Sequence, residues 1–223
     1  MATLLLQCVA PLQSWGTQSE YIVRDTGREP SKSGIIGLLC AALGRERNEP
    51  LDDLSRLTMG VRADWEGKIL RDYHTITDNT KKTPSTVVST RYYLADAMFL
   101  VGLKGDVDLL QQLHIALKHP RWNLFLGRKS CVPSRPPFLT QGLSEKPLLE
   151  ALGEYPWLGQ NRQKYETIHF LRLVCEDMDA GNEFHRDNPV SFERDQRHFH
   201  PRRTTTKFIA RPAFESQKSY PLL

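Results

Sequence analysis

The chain has 223 residues, 39% of them hydrophobic, and carries 30 Lys and Arg against 26 Asp and Glu, a formal charge of +4. That length and apolar content argue for a globular protein over a disordered chain, and the modest charge makes the placement of cations more informative than their sum. Cys8, Cys40, Cys131 and Cys175 are scattered without a CxxC pair, which argues against a disulfide framework or zinc knuckle and fits a reducing cytoplasm.

Thr3 to Val9 is an apolar run of strand length, too short for a membrane span and lacking the basic segment of a secretory signal. It reads as a buried first strand. Pro11-Leu12-Gln13-Ser14-Trp15-Gly16 follows as a loop, kept out of regular structure by Pro and Gly. Ile35, Leu38, Leu39, Ala42 and Leu43 fall on one face of a predicted helix, with Ser31 or Ser33 as N-cap and Gly44 as its stop. Leu57, Met59, Val61 and Ala63 alternate as a half-buried strand, and Ile69 to Ile76 reads as an extended arm paired with it.

From Ile76 to Ser89 the chain is polar, rich in Thr and without an apolar face before Val87, so it cannot bury itself. It is a mobile loop or a projecting hairpin, and the strand-like flanks favour the hairpin. Tyr92 to Leu103 reads as one long strand whose apolar end, Ala97 to Val101, suits the middle of a sheet. Leu109, Leu110, Leu113, Ala116 and Leu117 form the stripe of a second helix, with Asp106 at its start, Lys118 near its end and Pro120 beyond.

The order is strand, helix, strand, inserted hairpin, strand, helix and a further extended segment. This is an α+β chain of ferredoxin-like or RRM-like βαββαβ plan, with an antiparallel sheet covered on one face by two helices. It occupies residues 1–140, with a thumb hairpin at about 76–90. Residues 141–223 read as an appended, mainly β subdomain: a short helix from Lys146 to Leu152, then strands at Thr167 to Cys175 and Thr205 to Ala210.

Four places carry candidate chemistry. Gly127-Arg128-Lys129-Ser130-Cys131-Val132 lies within Leu109 to Ser144, which holds no Asp or Glu; a glycine followed by two cations and a hydroxyl lets backbone amides approach an anion. It lacks the spacing of a nucleotide-hydrolysing phosphate loop. Pro30-Ser31-Lys32-Ser33-Gly34 begins a helix, where unbonded N–H groups, the dipole and Lys32 suit a phosphate, with plain capping as the alternative. Arg71-Asp72-Tyr73-His74-Thr75 offers a ring for a base and a cation for its phosphate. On a strand, Arg71, Tyr73 and Thr75 share one face, and Asp72 with His74 the other, where a His–carboxylate pair needs no chemistry. The hairpin carries Lys81 and Lys82 at its tip and Arg91, Tyr92 and Tyr93 at its base. His185, His198 and His200 lie among arginines and lack zinc spacing, so neither metal nor cofactor is expected. Arg194 to Arg211 holds six basic residues against Asp195, a further anion-facing strip.

The loop Pro11 to Gly16, the helix start Pro30 to Leu39, Arg71 to Thr75, Arg91-Tyr92-Tyr93-Leu94-Ala95-Asp96-Ala97 and Leu126 to Cys131 occur in an order that resembles the CasD family of type I-E CRISPR Cascade, within the RAMP superfamily. The resemblance spans about residues 3 to 140. It implies a non-catalytic subunit that holds the 5′ handle of the guide RNA (crRNA), caps the backbone filament and touches the backbone subunit, the large PAM-recognising subunit and target DNA, with no membrane partner. Gln13, Trp15, Pro30 to Gly34, Arg71, Tyr73, His74, Thr75, Lys81, Lys82, Arg91, Tyr92 and Arg128 to Val132 are the RNA-binding residues it points to. Related subunits of type I-C systems cut precursor RNA with Tyr, Lys and His side chains. The competing expectation is therefore a metal-independent endoribonuclease built from Tyr73, His74 and Lys129.

Overall fold

The structure, a computed structural model, describes residues 2–16, 23–78 and 85–215. In chain order its elements begin with β1 Ala2–Val9, β2 Leu12–Gln13, β3 Val23–Arg24, α1 Lys32–Leu43 and α2 Asp52–Ser55. Next come β4 Thr58–Trp65, β5 Lys68–Asp78, β6 Ser85–Ala95, β7 Met98–Gly105 and α3 Val107–Lys118. The C-terminal part holds β8 Leu143–Ser144, α4 Leu148–Glu154, α5 Arg162–Glu166, β9 Phe170–Glu176, β10 Glu183–Ser191 and β11 His198–Ala210. This is a mixed α+β chain built on a large antiparallel sheet of seven strands, in the order β10-β11-β9-β4-β7-β1-β8.

Every residue of β1 is buried because both sheet faces are covered. Leu4, Leu6 and Cys8 enter a core with Ile35, Leu39, Leu110 and Leu113 from α1 and α3. Leu5 and Val9 point the other way, into a second cluster with Leu148 and Leu152 of α4. Cover on one face alone was expected; α4 closes the other. The helix ends follow local chemistry: the Ser31 side chain caps α1, Gly44 ends it at φ 76°, and the Asp106 side chain accepts from the N–H groups of Asp108 and Leu109.

One predicted pairing and one predicted strand differ. β5 pairs with β6 over its whole length and not with β4, whose neighbours are β7 and β9. The expected single strand from Tyr92 to Leu103 is broken at Asp96, which adopts φ 60° and donates its N–H to the Pro11 carbonyl at 3.0 Å. The break sends β6 into a second, smaller sheet with β2, β3 and β5, while β7 stays in the large one. β10 was not expected: Pro189 and two register irregularities disguise it, features that a sheet tolerates at an edge.

The C-terminal strands continue the large sheet, with β9 paired to β4 through Gly60 to Ala63. A fully buried ion pair anchors the segment before them. Arg62 donates from Nε to Asp64 at 2.6 Å and reaches the carbonyls of Leu152, Tyr155 and Pro156, while Asp64 accepts the Leu158 N–H at 2.7 Å. Removing one partner of such a pair strands the other charge in the core. Arg62→Met is expected to cost about 3–5 kcal/mol in urea unfolding, and an unchanged midpoint would show that residues 152–158 hold without it.

Candidate nucleic-acid interface

The loop after β1 is a wedge between α1 and the small sheet. Gln13 is fully buried because each of its polar atoms is used: Nε2 donates to the carbonyls of Cys8 at 3.0 Å and Ala97 at 2.8 Å, and Oε1 accepts the Trp15 indole N–H at 3.0 Å. The Trp15 ring, 1% exposed, lies on Gly34, where a Cβ would come within 2.8 Å of it. Only a glycine admits the ring there. The expectation that Gln13 and Trp15 touch a nucleotide is therefore corrected: their faces and polar atoms are consumed inside the chain, and they shape the surface from beneath.

The Gly127 turn docks on this wedge. Ser14 donates its N–H to the Leu126 carbonyl at 3.1 Å, and Gly127 adopts φ 98°, with the Ser14 oxygen only 1.7 Å from where a Cβ would stand. Backbone bonds of 2.8 Å from Leu126 to Cys131 and from Cys131 to Arg128 close the turn. Cys131 is buried, and burial pushes its thiol up, so it packs as a neutral group; its expected RNA contact is corrected on that ground. Lys129, Ser130 and Val132 are exposed.

Arg128 ties the turn to the hairpin. Its guanidinium donates to the Tyr92 carbonyl at 3.1 Å and to the carbonyls of Arg24 at 2.9 Å and Asp25 at 3.3 Å, and lies 4.7 Å over the Tyr93 ring. β3 runs parallel to β6 at the same place, Arg24 opposite Arg91. Three segments distant in sequence meet here.

Along β5, Arg71, Tyr73 and Thr75 are exposed on one face, with Tyr92, Thr90 and Val88 opposite them. Tyr73 shows 64% of its surface, which a stacking platform requires. Asp72 and His74 are half-buried on the other face and hydrogen-bonded to each other, the pairing that needed no chemistry. Arg91 lies opposite Asp72, and its Nε is buried without a hydrogen-bond partner among the described residues. Lys81 and Lys82 lie outside the described residues.

At the expected phosphate site of Pro30, Ser31, Lys32, Ser33 and Gly34, the first three are buried, Ser33 and Gly34 are half-buried, and an internal carboxylate takes the Lys32 N–H. Asp187, from β10, accepts the Lys32 backbone N–H at 2.7 Å and is held by Arg202 of β11 at 2.6 and 3.0 Å. The Lys32 ammonium pairs with Glu176 at 3.0 Å, and all four side chains are buried. An internal carboxylate thus fills the dipole-favoured position. Burial pushes Asp187 up, but the hydrogen bonds and charge of Arg202 and the Lys32 N–H outweigh it and hold the carboxyl below its usual range. Burial also draws the Lys32 ammonium down, against the pull of Glu176.

The chain as a whole matches one family of proteins. The model of the CRISPR-associated protein (Cas_Cas5) family matches residues 3–205, and the chain belongs to that family. It is 32% identical over 195 residues to the CRISPR system Cascade subunit CasD of Escherichia coli (strain K12), covering 78% of this chain and 87% of that one. A solved structure described as a Cas protein matches with a TM-score of 0.76 at 42% identity, covering 94% of this chain and 95% of its own. A chain of a CRISPR RNA-guided surveillance complex also gives a TM-score of 0.76, at 30% identity, covering 95% of this chain and 91% of the other. The family match extends past residue 140, beyond the motifs that carried the resemblance.

Because the folded Asp187 is more acidic than the unfolded one, the unfolded chain binds the extra proton at low pH. Its contribution is complete above the unfolded value of about 4 and lost as pH falls through the folded value. The stability gap between the parent and Asp187→Asn, read by urea unfolding, should be constant near neutrality and narrow below about pH 4. A gap that persists unchanged into acid would mean that the charge of Asp187 contributes nothing.

Proposed function

We propose that this chain is a non-catalytic subunit of a cytoplasmic Cascade-type CRISPR RNA-guided surveillance complex, binding the 5′ handle of the crRNA and capping the backbone filament. The observation that carries this is the Arg128 clasp, which brings the acid-free turn, the base of the hairpin and residues 24–25 to one place. The names of the relatives add the complex to which such a site would belong. In this reading Lys129, Ser130 and Val132 face the handle from the turn, Arg91 and His74 flank it from the inner side of the hairpin, and Arg71, Tyr73 and Thr75 offer the outer side to a base. The hairpin serves as the thumb that presses on the guide–target duplex beside the handle. Its partners are the backbone subunit, the large PAM-recognising subunit and target DNA.

The order β4-β7-β1-β8, with α1 and α3 on one face, supports an RRM-like βαββαβ module whose last strand, β8, lies just past the expected boundary at residue 140; the residues after β8 add α4 and further strands. The non-catalytic reading is supported by the alternation of β5. Tyr73 and His74 lie on opposite faces of β5, so the two do not converge on one phosphate.

Labelled repeat RNA incubated with the protein in EDTA should stay intact; specific cleavage lost in His74→Ala would establish the nuclease instead. In a complex assembled with guide RNA and partner subunits, Lys129→Ala should weaken handle retention and reduce the salt slope by about 0.7. An unchanged affinity and slope would remove the turn from the interface.

A further inference from the structure

We infer that Asp187 and Arg202 are positioning residues for the RNA-facing turn, acting across the molecule through the start of α1 and Trp15. The inference rests on the handle-binding reading above, and concerns how that site is held. Asp187 and Lys32 are 155 residues apart, yet the 2.7 Å bond between them fixes the first turn of α1. Arg202 holds Asp187 through Nε and Nη2 and also approaches Glu176 at 3.4 Å, so β9, β10 and β11 all bear on one helix end.

From there the path is short and close-packed. Ser31 caps the helix and Gly34 lies against the Trp15 ring, with space for hydrogen but not for a Cβ. Trp15 is locked by Gln13 through its indole, and the adjoining Ser14 carries both the bond to Leu126 and the contact with Gly127. The links are hydrogen bonds that are buried or partly buried and glycine contacts with no room for a Cβ, so a shift at α1 has little slack to absorb it. The turn that presents Lys129 is therefore seated by charges from the C-terminal strands. Net charge gives the opposite expectation, because removing a carboxylate from a basic protein strengthens attraction to RNA.

The test uses the complex assembled with guide RNA and partner subunits, comparing Asp187→Asn, Lys129→Ala and the double variant for handle retention across a salt series. Asp187→Asn should weaken retention roughly 2- to 30-fold, the range of coupling between packed sites. It should also flatten the salt slope as Lys129→Ala does, although Asp187 meets no phosphate. The double variant should lose less than the product of the two single losses. Retention unchanged or strengthened in Asp187→Asn, an unaltered slope, or strictly multiplicative losses would overturn the positioning role while leaving the handle reading intact. Should Lys129→Ala have no effect, the turn is not part of the interface and the handle reading fails at this turn, whatever Asp187→Asn does. If Asp187→Asn does not assemble, Arg202→Lys applies the same criteria, keeping the charge but losing the two-pronged hold on Asp187.

Discussion

The contact of the Trp15 ring with Gly34 is the constraint on which the candidate interface depends. An indole of this size is buried only where its N–H finds an acceptor and a neighbour surrenders its side chain, and Gln13 and Gly34 meet those two conditions. With the ring fixed, Ser14 has one position, and the Gly127 turn docks on it through a backbone bond and an approach that forbids a Cβ. Arg128 then carries the register from the turn to the hairpin base. The exposed groups proposed to face RNA are thus set by buried groups beneath them.

Charge in this chain is spent on two different tasks. Buried cations such as Lys32, Arg62 and Arg202 are matched by carboxylates at close range, since an unmatched ion in the interior would cost several kcal/mol, of the order of 3–5 for one stranded partner. They specify how strands and helix ends meet. Lys129 and Arg71 are exposed instead, where solvent screening leaves them available to a polyanion. A basic residue therefore says little about nucleic acid until its burial is known. That is why Lys32, promising as part of a helix-start phosphate site, became a structural counter-ion.

Local rules were legible in the sequence. Ser31, Gly44 and Asp106 cap the helices as their neighbourhoods predict, and β5 alternates so that Tyr73 and His74 part company as expected. Nonlocal partners were not legible. Gln13 reaches Ala97 across 84 residues and Asp187 reaches Lys32 across 155, so no window of sequence reveals that both are buried. The turn at Asp96 was hidden because neither glycine nor proline marks it, and β10 because its proline and irregular register look like a loop. The candidate site was drawn from the order of its motifs; which of its side chains are exposed came from burial.

The claim that most needs a direct measurement is that the Gly127 turn faces the 5′ end of the guide. A photo-crosslinking side chain placed at Lys129, an exposed position, would report its nearest neighbour in the assembled complex. Crosslinks confined to the 5′ handle nucleotides are expected. Crosslinks to the targeting portion of the guide, or to protein alone, would contradict it.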